Sequence, residues 1–402
     1  MKPVFVEGLK GSSKALFLAH LQNLVRRPIL VLTPDQNAGE TLLGDLGYFI
    51  GHENLRFSPR FFPSWELLPY ENLSPLREIS GERLNVLHQL SRGECSFLVA
   101  PVEAVMQYVM PRSVLEKTLF TIQKGDNLDR EVLENCLVDS GYSRSGMVEE
   151  RGQFSVRGDI VDIFIPAYED PVRVEFFGDD VESLRRFDLG SQVSIGDLQS
   201  VTVLPVREIY LNRQMMELGI EKIRVFGKEQ KVEPNHILEC VEQIRQLEDF
   251  PGIEWLAPFF HGAKDSLFDY LSPDTLIVLD EEGLVRAKSE NYRDLFLSEF
   301  ERSLERGDVA PRPEDLFLDP GEMRRVLAEK KVLHLNSLKL FDSGSDNAIH
   351  YDIHSIPALR GKFEEFANFA RNWRKQDFKI TVVAPTKGHV SRIHELLDQN
   401  EL

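Results

Sequence analysis

A lysine in a glycine-rich loop near the start of the chain is the residue best placed for chemistry. The segment reads VFVEGLKGSSKALFL, an apolar run followed by a loop and a helical pattern. A working phosphate-binding loop follows G-x-x-x-x-G-K-[ST], in which backbone N–H groups and the lysine hold phosphates and the final hydroxyl binds Mg²⁺. Here Gly8 and Lys14 are in register around Gly11, but Ser13 replaces the second glycine and Ala15 replaces the hydroxyl residue. Both replacements weaken nucleotide binding, because a Cβ crowds the phosphates and a metal ligand is lost.

Two acidic residues at the end of an apolar run supply the matching half of an ATPase site. The run LIVLDEEG resembles a Walker B strand, in which Asp280 and Glu281 would hold Mg²⁺ or activate water. If each half-motif is considered separately, the simplest interpretation of the loop is an ordinary turn before a helix. The simplest interpretation of the two acids is that they are solvated at the end of a strand. Taken together, the half-motifs indicate an ATPase fold whose machinery has decayed. We therefore predict no catalytic residue, no metal site and weak or absent ATP binding. An active hydrolase that uses Lys14, Asp280 and Glu281 is the alternative.

Composition places the chain among soluble globular proteins of several domains. It has 402 residues, of which 42% are hydrophobic, and a formal net charge of −18. This acidity provides no electrostatic footprint for gripping DNA unaided. No apolar run is long enough to span a membrane, no signal peptide precedes the first strand, and the three cysteines lack the spacing of a metal site. These features predict a reduced, cytoplasmic setting.

The order of apolar patterns predicts an α/β fold with an inserted β unit. Short apolar runs at 4–7, 29–33 and 96–101 alternate with helical patterns, which is typical of a doubly wound parallel sheet. Residues 152–188 instead alternate apolar and polar positions between turn residues, which predicts a small antiparallel unit. The helical and α/β signal returns from about residue 206. The tail has one apolar run, KITVVAP, between two helical patterns, so it is either an appendage or the start of a further α/β domain.

Three segments resemble a known family. They are FFPSWELLPYENLSPLREISGERLNVLHQL, FLVAPVEAVMQ and RGQFSVRGDIVDIFIPAYEDPVRVEFFGDDVESLRRFD. They are similar to the N-terminal part of bacterial transcription-repair coupling factors and, through it, to the excision-repair protein UvrB. The resemblance implies a degenerate P-loop, helicase-like parallel sheet in domains 1A and 1B, with a small α+β, antiparallel domain 2 inserted between them. It assigns domain 1A to 1–118, domain 2 to 119–205, domain 1B to 206–335, a linker to 336–349 and a partial domain 3 to 350–402.

The resemblance also implies a module that recruits a partner rather than one that catalyses. In the family, this region has lost ATPase activity and binds UvrA through domain 2 in transcription-coupled nucleotide excision repair. The full proteins are ATP-dependent DNA translocases of helicase superfamily 2. They use RNA polymerase, DNA, ATP and Mg²⁺ through regions absent from this chain, which leaves no cofactor here. Intramolecular contacts with those C-terminal regions are expected, and an autoinhibitory structural module is a further alternative.

The strand in PVRVEFFGD places an aromatic residue on a charged face. Because alternate side chains of a strand share a face, Val172, Val174 and Phe176 are predicted to face the core. Arg173 and Phe177 then lie on the opposite face. An arginine beside an exposed aromatic side chain is typical of an interface hot spot.

The strand in QFSVRGD adds a second arginine to this face if the two strands share a sheet. Ser155 and Arg157 would then point outward. The resemblance assigns UvrA binding to Arg157, Arg173 and Phe177, with Ser155 where UvrB-like sequences often carry another arginine. The alternative is that the arginines only pair with acids of the same sheet, with the candidates Asp159, Glu175 and Asp179. Further arginines that could extend a basic rim are Arg144, Arg151, Arg185 and Arg186.

Overall fold

The structure is a computed structural model that describes residues 4–402 except 53–54, 56, 247–249, 340–346, 355–361, 383, 385 and 401. It has two compact units, Met1–Asp352 and Ile353–Leu402. Among the described residues, no helix has both the length and the apolar character needed to cross a bilayer.

All the described strands belong to the larger unit. In chain order they are β1 (Val4–Glu7), β2 (Ile29–Thr33), β3 (Arg60–Phe61), β4 (Phe97–Pro101), β5 (Phe120–Gln123), β6 (Ser143–Arg144), β7 (Gln153–Arg157), β8 (Ile160–Ile163), β9 (Val172–Phe177), β10 (Asp180–Phe187), β11 (Ser194–Leu198), β12 (Ser200–Val203), β13 (Leu276–Asp280), β14 (Lys331–Asn336) and β15 (Ala348–His350).

The described helices connect these strands and form the smaller unit. In chain order they are α1 (Ser13–Val25), α2 (Gln36–His52), α3 (Arg77–Ser91), α4 (Val102–Met106), α5 (Arg112–Thr118), α6 (Arg130–Asp139), α7 (Arg213–Glu229), α8 (Pro234–Gln246), α9 (Ala257–Phe260), α10 (Leu267–Tyr270), α11 (Glu282–Arg306), α12 (Pro313–Leu316), α13 (Pro320–Ala328), α14 (Phe363–Lys375) and α15 (Lys387–Gln399).

The largest sheet is parallel, as the alternation of strands and helices predicts. Its order is β15-β1-β14-β13-β2-β4-β3, and every described pair in it is parallel. β2 and β4 are buried along their whole lengths, which is the pattern of parallel strands covered on both faces. The carboxyl ends of parallel strands lie on one edge of a sheet. The loop after β1 and the residues that follow β13 and β14 therefore meet at that edge.

The second sheet has the order β11-β10-β9-β8-β7-β6. Its pairs from β7 to β11 are antiparallel, whereas β6 runs parallel to β7, so the predicted antiparallel unit is a mixed sheet. Two-residue turns join β7 to β8 and β9 to β10. They begin at Gly158 (φ 60°) and Gly178 (φ 67°), because the first position of such hairpin turns takes a left-handed conformation. A separate antiparallel pair joins β5 and β12.

A buried ion pair ties the chain that leaves the second sheet to helix α3. Arg83 Nε donates to Glu208 Oε1 at 2.5 Å, and Arg83 Nη1 donates to the Pro63 carbonyl at 2.7 Å. The Trp65 indole N–H donates to the same Glu208 oxygen at 2.6 Å, while the guanidinium lies 4.2 Å from the centre of the Phe62 ring. Both charged side chains are removed from solvent. The two buried charges therefore compensate each other, and hydrogen bonds to these neighbours satisfy their remaining polar atoms.

Helix α3 also makes close contacts with the segments that flank strands β7 and β8 of the second sheet. A Cβ at Gly81 would lie only 2.6 Å from the backbone carbon of Pro166, so a glycine is needed for this approach. Arg77 Nη1 donates to the Arg151 carbonyl at 2.7 Å. The second sheet is thus fixed against α3 and lies in the same compact unit as the parallel sheet.

The predicted linker and tail differ from the structure in two places. The stretch 336–349 begins at the end of β14 and reaches into β15, which pairs with β1, so its described ends lie in the parallel sheet. In the smaller unit, α14 and α15 form, but residues 379–382 and 384 are not in a strand. The strand predicted from KITVVAP is wrong for these residues. An apolar run needs a neighbouring strand to satisfy its backbone groups, and none is described in this unit.

Candidate functional site

The loop after β1 uses its own N–H groups instead of presenting them to an anion. Gly8 (φ 83°) and Gly11 (φ 56°) both have left-handed backbones. The N–H of Ser13 donates to the Lys10 carbonyl at 3.3 Å, and the N–H of Lys14 donates to the Gly11 carbonyl at 3.4 Å. In a phosphate-binding loop such N–H groups point at the phosphates. Here two of them close a turn at the start of α1.

The structure brings the two half-motifs together in an ion-pair cluster. Lys14 Nζ lies 2.5 Å from Asp280 Oδ1 and 2.8 Å from Glu281 Oε1. The N–H of Ser337, after β14, donates to the same Glu281 oxygen at 2.8 Å. We call Lys14, Asp280 and Glu281 the lysine clamp. Its lysine is already committed to two carboxylates and is not free for a terminal phosphate.

The protonation equilibria of the lysine clamp follow from burial and attraction. Burial alone would lower the pKa of Lys14, but the charges of and hydrogen bonds to Asp280 and Glu281 raise it above its usual value. Burial raises the pKa of Asp280 against the attraction of Lys14. For Glu281, burial is outweighed by hydrogen bonds from Lys14 and Ser337, which hold its pKa below the usual value. Lys14 and Glu281 therefore carry opposite charges at neutral pH.

The positions of Ser13 and Ala15 also disfavour a metal-bound nucleotide. The Ser13 hydroxyl donates to the Lys10 carbonyl at 2.8 Å, and Ala15 is fully buried. Within the part of the chain that the structure describes, no group of three or more His, Cys, Asp or Glu side chains is arranged to hold a metal ion. The loop thus lacks a hydroxyl ligand at the position where a working site has one.

Titration with Mg-ATP is expected to show no binding in the micromolar range. Lys14 is already paired with Asp280 and Glu281, and two N–H groups of the loop donate to carbonyl groups of the loop itself. Isothermal titration calorimetry measures this directly, and phosphate release with and without DNA tests the hydrolase alternative. Micromolar binding that disappears in Lys14→Ala would contradict the expectation.

Arg157, Arg173 and Phe177 lie on one side of the second sheet, which we call the outer face. Asp162 of β8 is in register with Ser155 of β7 and with Arg173 of β9. Residues in register share a face, as do residues two apart in a strand. This relation places Arg157 beside Ser155, and Phe177 beyond Arg173, on the same side. The opposite side carries the buried apolar residues of the sheet.

Asp162, which the sequence reasoning missed, holds both arginines. Arg173 Nε and Nη2 donate to its two oxygens at 2.7 and 2.9 Å, and Arg157 Nη2 donates to Oδ2 at 2.7 Å. The Asp162 side chain is 1% exposed. Its hydrogen bonds raise the pKa of Arg173 above the usual value. The available signal was the single acid inside the apolar run IVDIFI, which must face away from the core side.

The three predicted residues differ in what they offer to a partner. Phe177 is 78% exposed at the turn between β9 and β10. The Arg157 side chain is 45% exposed, whereas that of Arg173 is 14% exposed and lies 4.5 Å from the centre of the Phe187 ring. Phe177 and Arg157 can therefore contact a partner directly, while Arg173 mainly supports Asp162. The pairing alternative applies to both arginines, but Asp162 is the partner that they share.

Two sequence expectations about this surface need correction. Ser155 is fully buried rather than exposed, because both arginines converge on Asp162, its neighbour across the sheet. Of the four arginines considered for a basic rim, only Arg185 is in register with an outer-face residue, Arg173. Arg144 and Arg186 are in register with residues on the core side of the sheet. Arg151 instead lies against α3.

Acids of the sheet restrain Arg185 as well. It lies 3.4 Å from Glu175 and 3.6 Å from Asp197, and Glu175 also accepts a hydrogen bond from the Ser183 hydroxyl. The outer face therefore carries several ion-paired side chains, and the exposed ring of Phe177 lies at its margin. These ion pairs order the side chains of the outer face, which lowers the entropy cost of any contact that they make.

The second sheet and its outer face define a UvrB-like interaction module. Residues 120–209 match the family described as the UvrB interaction domain. The matched range contains β5 to β12 and also Arg157, Arg173 and Phe177. Over nearly its whole length, the chain is similar to the N-terminal region of transcription-repair-coupling factors.

Relatives from distant bacteria share this similarity. The transcription-repair-coupling factor of Myxococcus xanthus is 30% identical over 99% of this chain and 35% of its own length. The protein of Bacillus subtilis (strain 168) is 25% identical over 99% of the chain and 34% of its own length. That of Escherichia coli (strain K12) is 30% identical over 73% of the chain and 25% of its own length. The chain thus spans about a third of the length of the first two relatives.

Proposed function

We propose that this chain is a non-catalytic module that recruits UvrA in transcription-coupled nucleotide excision repair. The observation that carries the proposal is that Phe177 and the ordered Arg157 share the outer face of a sheet that matches the UvrB interaction domain. The lysine clamp supports the non-catalytic part of the proposal. In it, Asp280 and Glu281 pair with Lys14, the lysine that is in register with the phosphate-loop pattern after β1.

The domain plan of the proposal follows the family. Domains 1A (1–118) and 1B (206–335) would form one helicase-like body, and domain 2 (119–205) would be inserted between them. The parallel sheet, with strands contributed from both sides of the insertion, is consistent with this plan. Residues 350–402 would start domain 3. In this proposal RNA polymerase, DNA and the ATP-driven motor belong to other regions of a full-length DNA translocase, which acts in the cytoplasm.

Arg157→Ala is expected to weaken UvrA binding by about 1 kcal/mol, roughly fivefold, because an ordered, half-exposed charge is removed from the contact surface. The loss should shrink at high salt, since the contact is electrostatic. Binding of purified UvrA to immobilised chain at two salt concentrations measures both effects.

Arg92→Ala is the matched control for this experiment. Arg92 forms an exposed ion pair with Glu94 at the end of α3, away from the outer face. Equal affinity losses in the two variants would remove Arg157 from the interface. Arg173→Ala is a poor probe by comparison, because it would deprive buried Asp162 of two donors and disturb the sheet itself.

A further inference from the structure

The degenerate loop after β1 is in close contact with the backbone of Tyr351, a later segment of the same chain. A Cβ built on Gly8 would lie 2.0 Å from the carbonyl oxygen of Tyr351 and 3.1 Å from its carbonyl carbon. No side chain can be accommodated there unless the backbone at Tyr351 moves. Gly11, in the same loop and also left-handed, has nothing within 4 Å of the corresponding position. The close approach of the Tyr351 backbone therefore explains why residue 8 is a glycine, but it does not explain the glycine at position 11.

Backbone pairing brings Tyr351 to this position. β15 runs parallel to β1, with Phe5, Val6 and Glu7 in register with residues 348–350. The pairing continues past the strand, because the N–H of Tyr351 donates to the Glu7 carbonyl at 2.8 Å. The N–H of Gly8 itself donates to the Asn336 carbonyl of β14 at 3.0 Å. The first glycine of the loop is thus enclosed by the ends of β14 and β15.

Side chains reinforce the contact on both sides of the loop. The His350 ring nitrogen Nδ1 lies 3.1 Å from Glu7 Oε2, and the Glu7 side chain is fully buried. The Tyr351 ring meets the Phe17 ring of α1 edge-on, with 6.1 Å between the ring centres. A strand end, an acid–histidine pair and an aromatic contact therefore converge on residues 350 and 351.

We propose that the degenerate loop is a docking site for the chain's own extended segment 348–351. Its ligand is a peptide backbone, and Gly8 is required for that backbone and not for a phosphate. Residue 351 is next to Asp352, the last residue of the larger unit. The loop therefore anchors the point at which the chain leaves the α/β body. This role goes beyond the recruitment of UvrA and does not depend on it.

Hydrogen–deuterium exchange of peptides that cover residues 347–352 tests the docking site. Gly8→Ala is expected to accelerate exchange there at least tenfold, whereas Gly11→Ala leaves it unchanged. Both substitutions place a Cβ at a left-handed residue, so the comparison isolates the contact with Tyr351. Equal exchange in the two variants would overturn the proposal.

A second pair of variants keeps the test decisive if Gly8→Ala fails to fold. Tyr351→Pro removes the N–H that donates to Glu7, and Tyr351→Phe retains both this N–H and the ring. Faster exchange of residues 347–350 only in Tyr351→Pro supports docking through the backbone. Unchanged protection in Tyr351→Pro would overturn it. Neither readout involves UvrA, so failure here and failure of the recruitment proposal are distinguishable.

Discussion

Arg83→Met is expected to lower the free energy of unfolding by about 3–5 kcal/mol, the range for breaking a buried ion pair. The substitution leaves the Glu208 carboxylate in a solvent-free site with only the Trp65 N–H as a donor from the described cluster. It also removes the guanidinium from the Phe62 ring. Because Glu208 follows the second sheet and Arg83 belongs to α3, the loss should loosen the sheet from the body. Urea unfolding followed by circular dichroism and tryptophan fluorescence measures the change.

Arg92→Ala is the control for the Arg83 experiment as well. Its pair with Glu94 is exposed, so its loss should leave the free energy of unfolding almost unchanged. The double variant Arg83→Met, Glu208→Leu should recover part of the lost free energy of unfolding, because neither Arg83 nor Glu208 then leaves a buried charge without its partner. If Arg83→Met were as stable as the wild type, the ion pair between Arg83 and Glu208 would not stabilise the contact between α3 and the chain that follows the second sheet.

Lys14→Met is expected to destabilise the protein by about 3 kcal/mol, the lower end of the range for breaking a buried pair, because the clamp retains some exposure. The lysine of a working phosphate loop would behave differently, since its charge is compensated mainly by bound nucleotide. Here Lys14→Met leaves the Asp280 and Glu281 side chains without the ammonium group that they share. Chemical unfolding without nucleotide measures the effect. Lys288→Met is the control, because its ion pair with Asp35 is exposed and weak.

The pH dependence of the Lys14 effect follows from the directions of the pKa shifts. The pKa of Lys14 is raised on folding, so its contribution is present below its unfolded value near 10.5 and is lost as pH rises through the higher folded value. The pKa of Glu281 is lowered, so its contribution is present above about 4.5 and is lost as pH falls through the lower folded value. The difference between wild type and Lys14→Met should therefore be largest around neutral pH. A difference that stayed near zero from pH 5 to 9 would contradict the clamp.

The features that the sequence predicted correctly are those encoded by short patterns. Alternation along VRVEFF separated the buried Val172, Val174 and Phe176 from Phe177, because a strand repeats every two residues. The order of strands and helices predicted the parallel sheet. The half-motifs at Lys14 and Asp280 were interpreted together, and they lie in contact because the loop after β1 and the end of β13 are at one edge of the parallel sheet.

The features that the sequence did not predict depend on contacts between distant positions. Asp162 is eleven residues from Arg173 and five from Arg157, and only the pairing of three strands brings them together. Arg83 and Glu208 are 125 residues apart, and no local pattern links a helix to a segment beyond an inserted sheet. β15 is three residues long and follows residues rich in turn formers, so its pairing with β1 leaves almost no trace in composition.

Recruitment of UvrA through the outer face is tested by the affinity of purified UvrA for Phe177→Ala, compared with its affinity for Leu24→Ala. Both side chains are 78% exposed, but Phe177 is on the outer face and Leu24 is on α1, so the pair controls for the loss of exposed apolar surface. We expect Phe177→Ala to lose about 2 kcal/mol of binding free energy, roughly thirtyfold in affinity, and Leu24→Ala to keep wild-type affinity. Wild-type affinity in a folded Phe177→Ala variant would contradict this expectation.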